Sequence, residues 1–196
     1  SKLIDAAAVV RVAPQLLLSG AYDADAGAMR DDLRASDLLP LTEPYTALGY
    51  RRVAKGSAEQ TTATVLNVSG ANAVVDWVRV ELRSALQPTM VVASRHGLLQ
   101  SDGDVVSADG TSPLTFHVGP GNYFIAVRHR NHLGCMTAAS VPLTATAATV
   151  DLRASTTATW GTNAREQIGT QRLLWAGNAS ADGVVLYSGN GNDRDV

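Results

Sequence analysis

One cysteine, Cys135, stands alone in 196 residues, so the chain can close no internal disulfide. Small secreted eukaryotic domains depend on such staples. A chain of this length can bury enough core to do without them, as bacterial surface proteins do with core size or calcium. Charged residues make up only 17% and aromatics 5%. With 16 basic and 18 acidic side chains the formal net charge is −2, which leaves no basic field for nucleic acid or an anionic membrane. No run of about 18 apolar residues occurs, so no membrane insertion is expected. No signal peptide is visible, and a start at Ser1 without Met is expected of a processed or trimmed product. There is no Gly-x-Ser-x-Gly elbow, no His-Glu-x-x-His and no Gly-rich phosphate loop before a helix. Cys135, between Gly134 and Met136, reads as a small apolar filler rather than a nucleophile. The expectation is a protein that is not an enzyme.

What is present is β pattern. Val74 to Arg83 alternates, with Val74, Asp76, Val78, Val80 and Leu82 on one side and Val75, Trp77, Arg79, Glu81 and Arg83 on the other. Period-2 alternation means a strand with one face on a core. Thr64 to Val68, Met90 to Ser94, Leu114 to Val118, Val141 to Leu143 and Thr149 to Leu152 read as further strands. Gly119-Pro120-Gly121-Asn122-Tyr123, followed by Phe124 to Arg128, has two readings. It is either the corner of a Greek-key sandwich, with the Tyr123 hydroxyl tied back to the preceding connection, or an ordinary hairpin strand that begins with Tyr. Seven to nine strands at regular spacing predict an all-β antiparallel sandwich of immunoglobulin or fibronectin-III type. Val78, Val80, Leu82, Ile125 and Val127 should be buried together.

Three pieces are expected. Residues 1–20 form an N-terminal strand segment, interrupted at Pro14, which belongs at an edge or bulge. This segment either completes its own sheet or adds a strand to another copy. Residues 21–154 form the sandwich, with an inserted loop and short helix and a polar surface stretch over 45–62. Residues 155–196 form a loop-rich appendage.

The candidate sites are few. Asn178, Ser180 and Asp182 alternate before Gly183, matching positions 1, 3, 5 and 6 of a calcium loop, with Asp193 able to replace the missing closing Glu. The competing reading is a plain polar turn. Asp23 and Asp25, with Asp31 or Asp32 nearby, form a second acidic loop that is either a calcium site or a turn followed by a helix start. Asp76 sits on the apolar face of its strand, and a buried carboxylate needs a cation or donor; Arg128 and His129 are the expected partners. His129 and His132, three apart on one strand, point to opposite faces and cannot share a zinc ion without a bend. Trp77, Trp160 and Trp175 are the candidates for a sugar-stacking platform.

Several stretches carry a resemblance. They are Met29-Arg30-Asp31-Asp32-Leu33-Arg34, Leu38-Leu39-Pro40-Leu41-Thr42-Glu43-Pro44-Tyr45, Val75-Asp76-Trp77-Val78 with Val80-Glu81-Leu82-Arg83, and Leu98-Leu99-Gln100-Ser101-Asp102-Gly103-Asp104. With Val127-Arg128-His129-Arg130-Asn131-His132-Leu133-Gly134 and Gly189-Asn190-Gly191-Asn192-Asp193-Arg194-Asp195, they span roughly residues 16–196. In that order they resemble the C-terminal region of large secreted proteins of Bacteroidota, labelled haemagglutinin- or haemolysin-related, whose tail is similar to a dockerin-like calcium loop. The resemblance implies an extracellular or cell-surface polypeptide. Two functions follow as expectations: a non-catalytic assembly module that builds a filament, stalk or layer from copies of itself, or a calcium-assisted module that binds glycans or a host surface.

Overall fold

The computed structural model describes residues 8–54 and 56–177. It is all-β. In chain order the strands are β1 (Val10–Gln15), β2 (Tyr22–Asp23), β3 (Ala28–Met29), β4 (Val74–Ser84), β5 (Val91–Gln100), β6 (Val105–Val106), β7 (Leu114–Phe116), β8 (Gly121–His129), β9 (His132–Met136), β10 (Val141–Leu143), β11 (Ala148–Asp151), β12 (Glu166–Ile168) and β13 (Gln171–Leu173). Two single-turn helices, α1 (Asp32–Ala35) and α2 (Ala63–Leu66), lie in the long β3–β4 connection. Among the described residues no helix is long and apolar enough to cross a membrane.

The central sheet runs β10-β8-β4-β5-β6, with β9 hydrogen-bonded to β8, and all its pairings are antiparallel. The second sheet has the order β11-β1-β7, and β1 runs parallel to β11. Both sheets contribute to one apolar cluster: Val78, Val80, Leu82, Ile125 and Val127 from β4 and β8, with Val10, Val12, Leu114, Phe116 and Val150 from the second sheet. Gly97 lets the layers meet, because a Cβ there would lie 2.7 Å from the Val106 carbonyl and 3.0 Å from Leu114.

The first strand is internal to the chain. Val10, Val12, Leu16, Leu17 and Leu18 are buried, and β1 has β7 on one side and β11 on the other. Of the two expected roles for residues 1–20, the described part takes the internal one. Pro14 falls between the β7 ladder, which ends at Val12, and the bridge from Gln15 to Asp104. A missing N–H costs nothing in such a gap. Leu173 and Leu174 belong to the same core cluster as β1, β4 and β8, so the described part of the 155–196 piece is also built into the main core.

The sequence pattern missed that β4 is buried on both faces. A second apolar cluster of Leu39, Tyr45, Val74, Trp77, Leu98 and Val106 lies opposite the main core. The covering layer is the connection before β4, of which residues 45–62 read from sequence as surface. Tyr45 and Glu43 within it are buried, at 0% and 2% exposure. Trp77 is therefore no platform: it is fully buried, and its indole N–H donates to the Pro40 carbonyl at 2.9 Å.

Candidate functional site

Two buried polar clusters lie on opposite faces of the central sheet. The first is built on Asp76, at the end of β4 where the register with β5 shifts. Its carboxylate accepts from His129 Nε2 at 3.0 Å, from the Arg130 Nε and Nη2 nitrogens at 2.9–3.0 Å and from the Trp77 N–H at 2.7 Å. Burial alone would raise its pKa; the His129 hydrogen bond, the charge of Arg130 and the Trp77 N–H together outweigh it and hold the group below its ordinary value.

Arg128 is not among these partners. It sits opposite Arg79 in the β4–β8 ladder, on the other face of the sheet, and its guanidinium lies 3.4 Å from Glu81. Alternation along β8 puts His129 on the side of Asp76 and Arg128 on the reverse. Arg130, just past the strand end, turns back to supply the cation.

The bend that would bring His129 and His132 together is present. Residues 130 and 131 form the hairpin turn, and the two Nδ1 atoms are 3.0 Å apart. The donors fix the tautomers. Gly20 N–H donates to His132 Nε2 at 3.1 Å, which leaves His132 Nδ1–H to donate to His129 Nδ1. His129 Nδ1 also accepts from Asn131 N–H at 3.2 Å, so its proton is on Nε2, toward Asp76. Every imidazole nitrogen is thus occupied, and neither ring offers a free lone pair to zinc. Burial first, and the adjacent His129 second, lower the His132 pKa to about 3.

The second cluster was not read from the sequence. Arg79, Glu81 and His96 project from β4 and β5 beneath residues 43–60. Glu81 accepts from Arg79 Nε at 2.9 Å and from Arg83 Nη2 at 2.6 Å. Arg79 also donates to the Arg51 carbonyl at 2.9 Å. Glu59 pairs with Arg52 through both oxygens. His96 lies with its Nδ1 2.9 Å from Glu59 and 3.3 Å from Glu43, and its ring stacks on Tyr45 at 5.2 Å and 3°. The Tyr45 hydroxyl donates to the Trp77 carbonyl at 2.9 Å, just past the end of the β4–β8 ladder.

Glu43, Glu59 and His96 place one ligand atom each within 4.8 Å of one another, a spacing that could hold a metal ion. The surrounding donors oppose it. His96 Nε2 faces Arg79 Nη1 at 3.3 Å, and a guanidinium can only donate. The ring must then carry its proton on Nδ1, toward the two carboxylates. Metal on Nδ1 would move that proton to Nε2, against Arg79. Ligating histidines ordinarily direct the second N–H at an acceptor. Burial, then the charges of Arg79, Arg52 and Arg95, lower the His96 pKa to about 4, although Glu43 acts the other way. The cluster is an ion network closed on itself.

The remaining predicted residues are dispersed. Asp23 spends one carboxylate oxygen on the backbone N–H groups of Asp25 and Ala26, at 3.0 and 3.1 Å, as a turn does. Asp25 is exposed. Asp31 and Asp32 pair with Arg34 and Arg30. Asn178, Ser180, Asp182 and Asp193 lie outside the described residues. Of the other tryptophans, Trp175 donates its indole N–H to the Asn163 carbonyl, and Trp160 is 54% exposed and packs edge-to-face on Phe124. Cys135 is buried, which pushes its thiol up to about 12. A cleft of about 260 Å³ between α1 and α2 is lined by Arg34, Leu39, Leu41, Ala63, Leu66 and Asn67. It is smaller than the usual ligand pocket of about 300 Å³ or more. Comparison with protein-family models, with curated proteins and with solved structures finds no match for the chain.

Proposed function

We propose that the chain is a non-catalytic extracellular structural module, an immunoglobulin- or fibronectin-III-like sandwich of the haemagglutinin-related surface proteins that it resembles. One observation carries this reading. Among the described residues the buried carboxylates and imidazoles are all engaged by internal partners, and the only buried side-chain polar atoms without one are Thr61 Oγ1 and Arg165 Nε. The buried polar chemistry joins one element to another: Asp76 ties β4 to the turn after β8, and Glu59 and Arg79 tie the long connection to the central sheet. The Tyr123 hydroxyl, which donates to the Gly119 carbonyl at 2.7 Å, agrees with a sandwich corner.

In this reading copies build a filament, stalk or layer. Because β1 is seated in its own sheet, the assembly idea does not depend on strand exchange. Electron microscopy of the native secreted material tests it: filaments or sheets are expected, and dispersed single particles would overturn it. A second reading, a calcium-assisted adhesin, is favoured by exposed Trp160, since sugars stack on such rings. Glycan-array binding that needs calcium and is lost in Trp160→Ala would select it.

A further inference from the structure

The path of the chain has a mechanical consequence. Residues 17–19 lie beside Leu174 in parallel orientation: Leu174 N–H donates to the Leu17 carbonyl at 2.8 Å, and Ser19 N–H donates to the Leu174 carbonyl at 3.0 Å. Ala176 N–H adds a bond to Ser19 Oγ at 2.8 Å. Upstream on the same edge, β11 also runs parallel to β1, and Leu152 N–H donates to the Gln15 carbonyl at 2.8 Å. The far edge of residues 173–177 is held as well. Leu133 N–H donates to the Trp175 carbonyl at 2.9 Å, and Gly177 N–H to the Asn131 carbonyl at 2.7 Å. This short segment therefore joins the β1 side of the molecule to β9 of the central sheet.

Parallel neighbours are entered at the same end. Val10 opens β1 and Gly177 is the last described residue of the second segment, and at about 3.3 Å per residue these points are roughly 30 Å apart along the strand direction. Tension between them runs along the strands and across their hydrogen bonds. Bonds loaded in this way must yield together, whereas a strand peeled from its end gives up its bonds one at a time. Forced unfolding is governed by the unfolding rate, so the geometry of loading sets the resistance.

We propose that residues 10–20 and 173–177 form a tension-bearing clamp, and that the module carries load from one end to the other. This rests on the structural reading above and adds a direction to it. Gly20 N–H on His132, which leads through His129 to Asp76 and Arg130, anchors the clamp to β4.

Single-molecule force spectroscopy on the full chain tests it. One sample is held through handles at its two termini. The other is held at the N-terminus and at Thr170→Cys, an exposed turn position before the clamp segment; buried Cys135 does not compete for the handle. Both samples carry the Thr170→Cys change, so their equilibrium stability is the same. The expected result is an unfolding force several-fold higher for the terminal attachment. Equal forces, or a higher force through residue 170, would overturn the clamp. That failure would leave the structural module standing, whereas dispersed particles in the microscope would remove the assembly reading and leave the force result intact.

Discussion

The two faces of β4 are buried to a similar depth by different physics. On one face Val78, Val80 and Leu82 meet Ile125 and Val127 in an apolar core. On the other, Arg79 and Glu81 are 3% and 4% exposed and are held by ion pairs under residues 43–60. Apolar burial adds stability in proportion to area and tolerates changes of similar volume. Buried charges must first be stripped of water, and their pairing does little more than restore that loss. The apolar face thus supplies cohesion, and the polar face ties one particular connection into one register.

The comparison can be broken most sharply at the buried charges, Glu81 on the polar face and Asp76 at the end of the apolar one. Glu81→Ala leaves the buried Arg79 without its carboxylate and should cost about 3–5 kcal/mol; Asp76→Ala, which strands Arg130 and His129, should cost about 3 kcal/mol. Urea denaturation measures both. The double change Arg79→Met with Glu81→Leu should cost less than Glu81→Ala alone, because the most deeply buried cation, Arg79, goes together with its carboxylate. A double variant that costs as much as Glu81→Ala, or more, would contradict this account.

On the apolar face, Ile125→Ala should cost about 2–4 kcal/mol through lost burial and a cavity, and the loss should be the same at pH 7 and pH 5.

Acid acts more gently, and on both buried polar clusters. A histidine whose folded pKa lies below its free value takes up a proton on unfolding, so acid favours the unfolded chain. The stability that neutral His96 and His132 preserve is full above about 6.5 and drains as pH falls toward about 4 and about 3. Asp76 has the depressed pKa of a paired carboxylate. Its contribution is present above the ordinary carboxylate value and is lost only as pH falls through the lower folded one. Urea midpoints between pH 7 and pH 4 should fall steadily, with a smaller slope in His96→Gln.

The smallest effect concerns metal. Zinc should leave the melting temperature unchanged, since Arg79 holds the His96 tautomer that excludes it. A zinc-dependent rise abolished by Glu43→Gln would reverse that conclusion.

Much of the all-β architecture was legible because β4 and β8 alternate over long spans and the five core positions named from that pattern share a cluster. Asp76 was legible because a carboxylate on an apolar face requires a partner. Its partner Arg130 was not, because it depends on the hairpin turn beyond β8 rather than on strand alternation. The polar face was hidden for a different reason. Arg79, Glu81 and Arg83 in alternation read as a solvated side, and the connection that covers them has no periodicity to announce its burial. Glu43 and Tyr45 stand in one of the stretches that carry the resemblance, but nothing local shows that they meet His96. The pairing of β1 with β11 joins residues more than 130 apart, and no local signal carries that information.

Cys135 turns from a bystander into a clock. It faces Val127 across the β8–β9 ladder, and the burial that silences its thiol lasts only while β9 stays in place. A thiol reagent will mark the chain only during excursions that lift this edge from the sheet. The half-time of labelling reports how often β9, the strand that grips residues 173–177, comes away. With no second cysteine in the sequence, the signal has a single origin, and it can be timed in the resting protein.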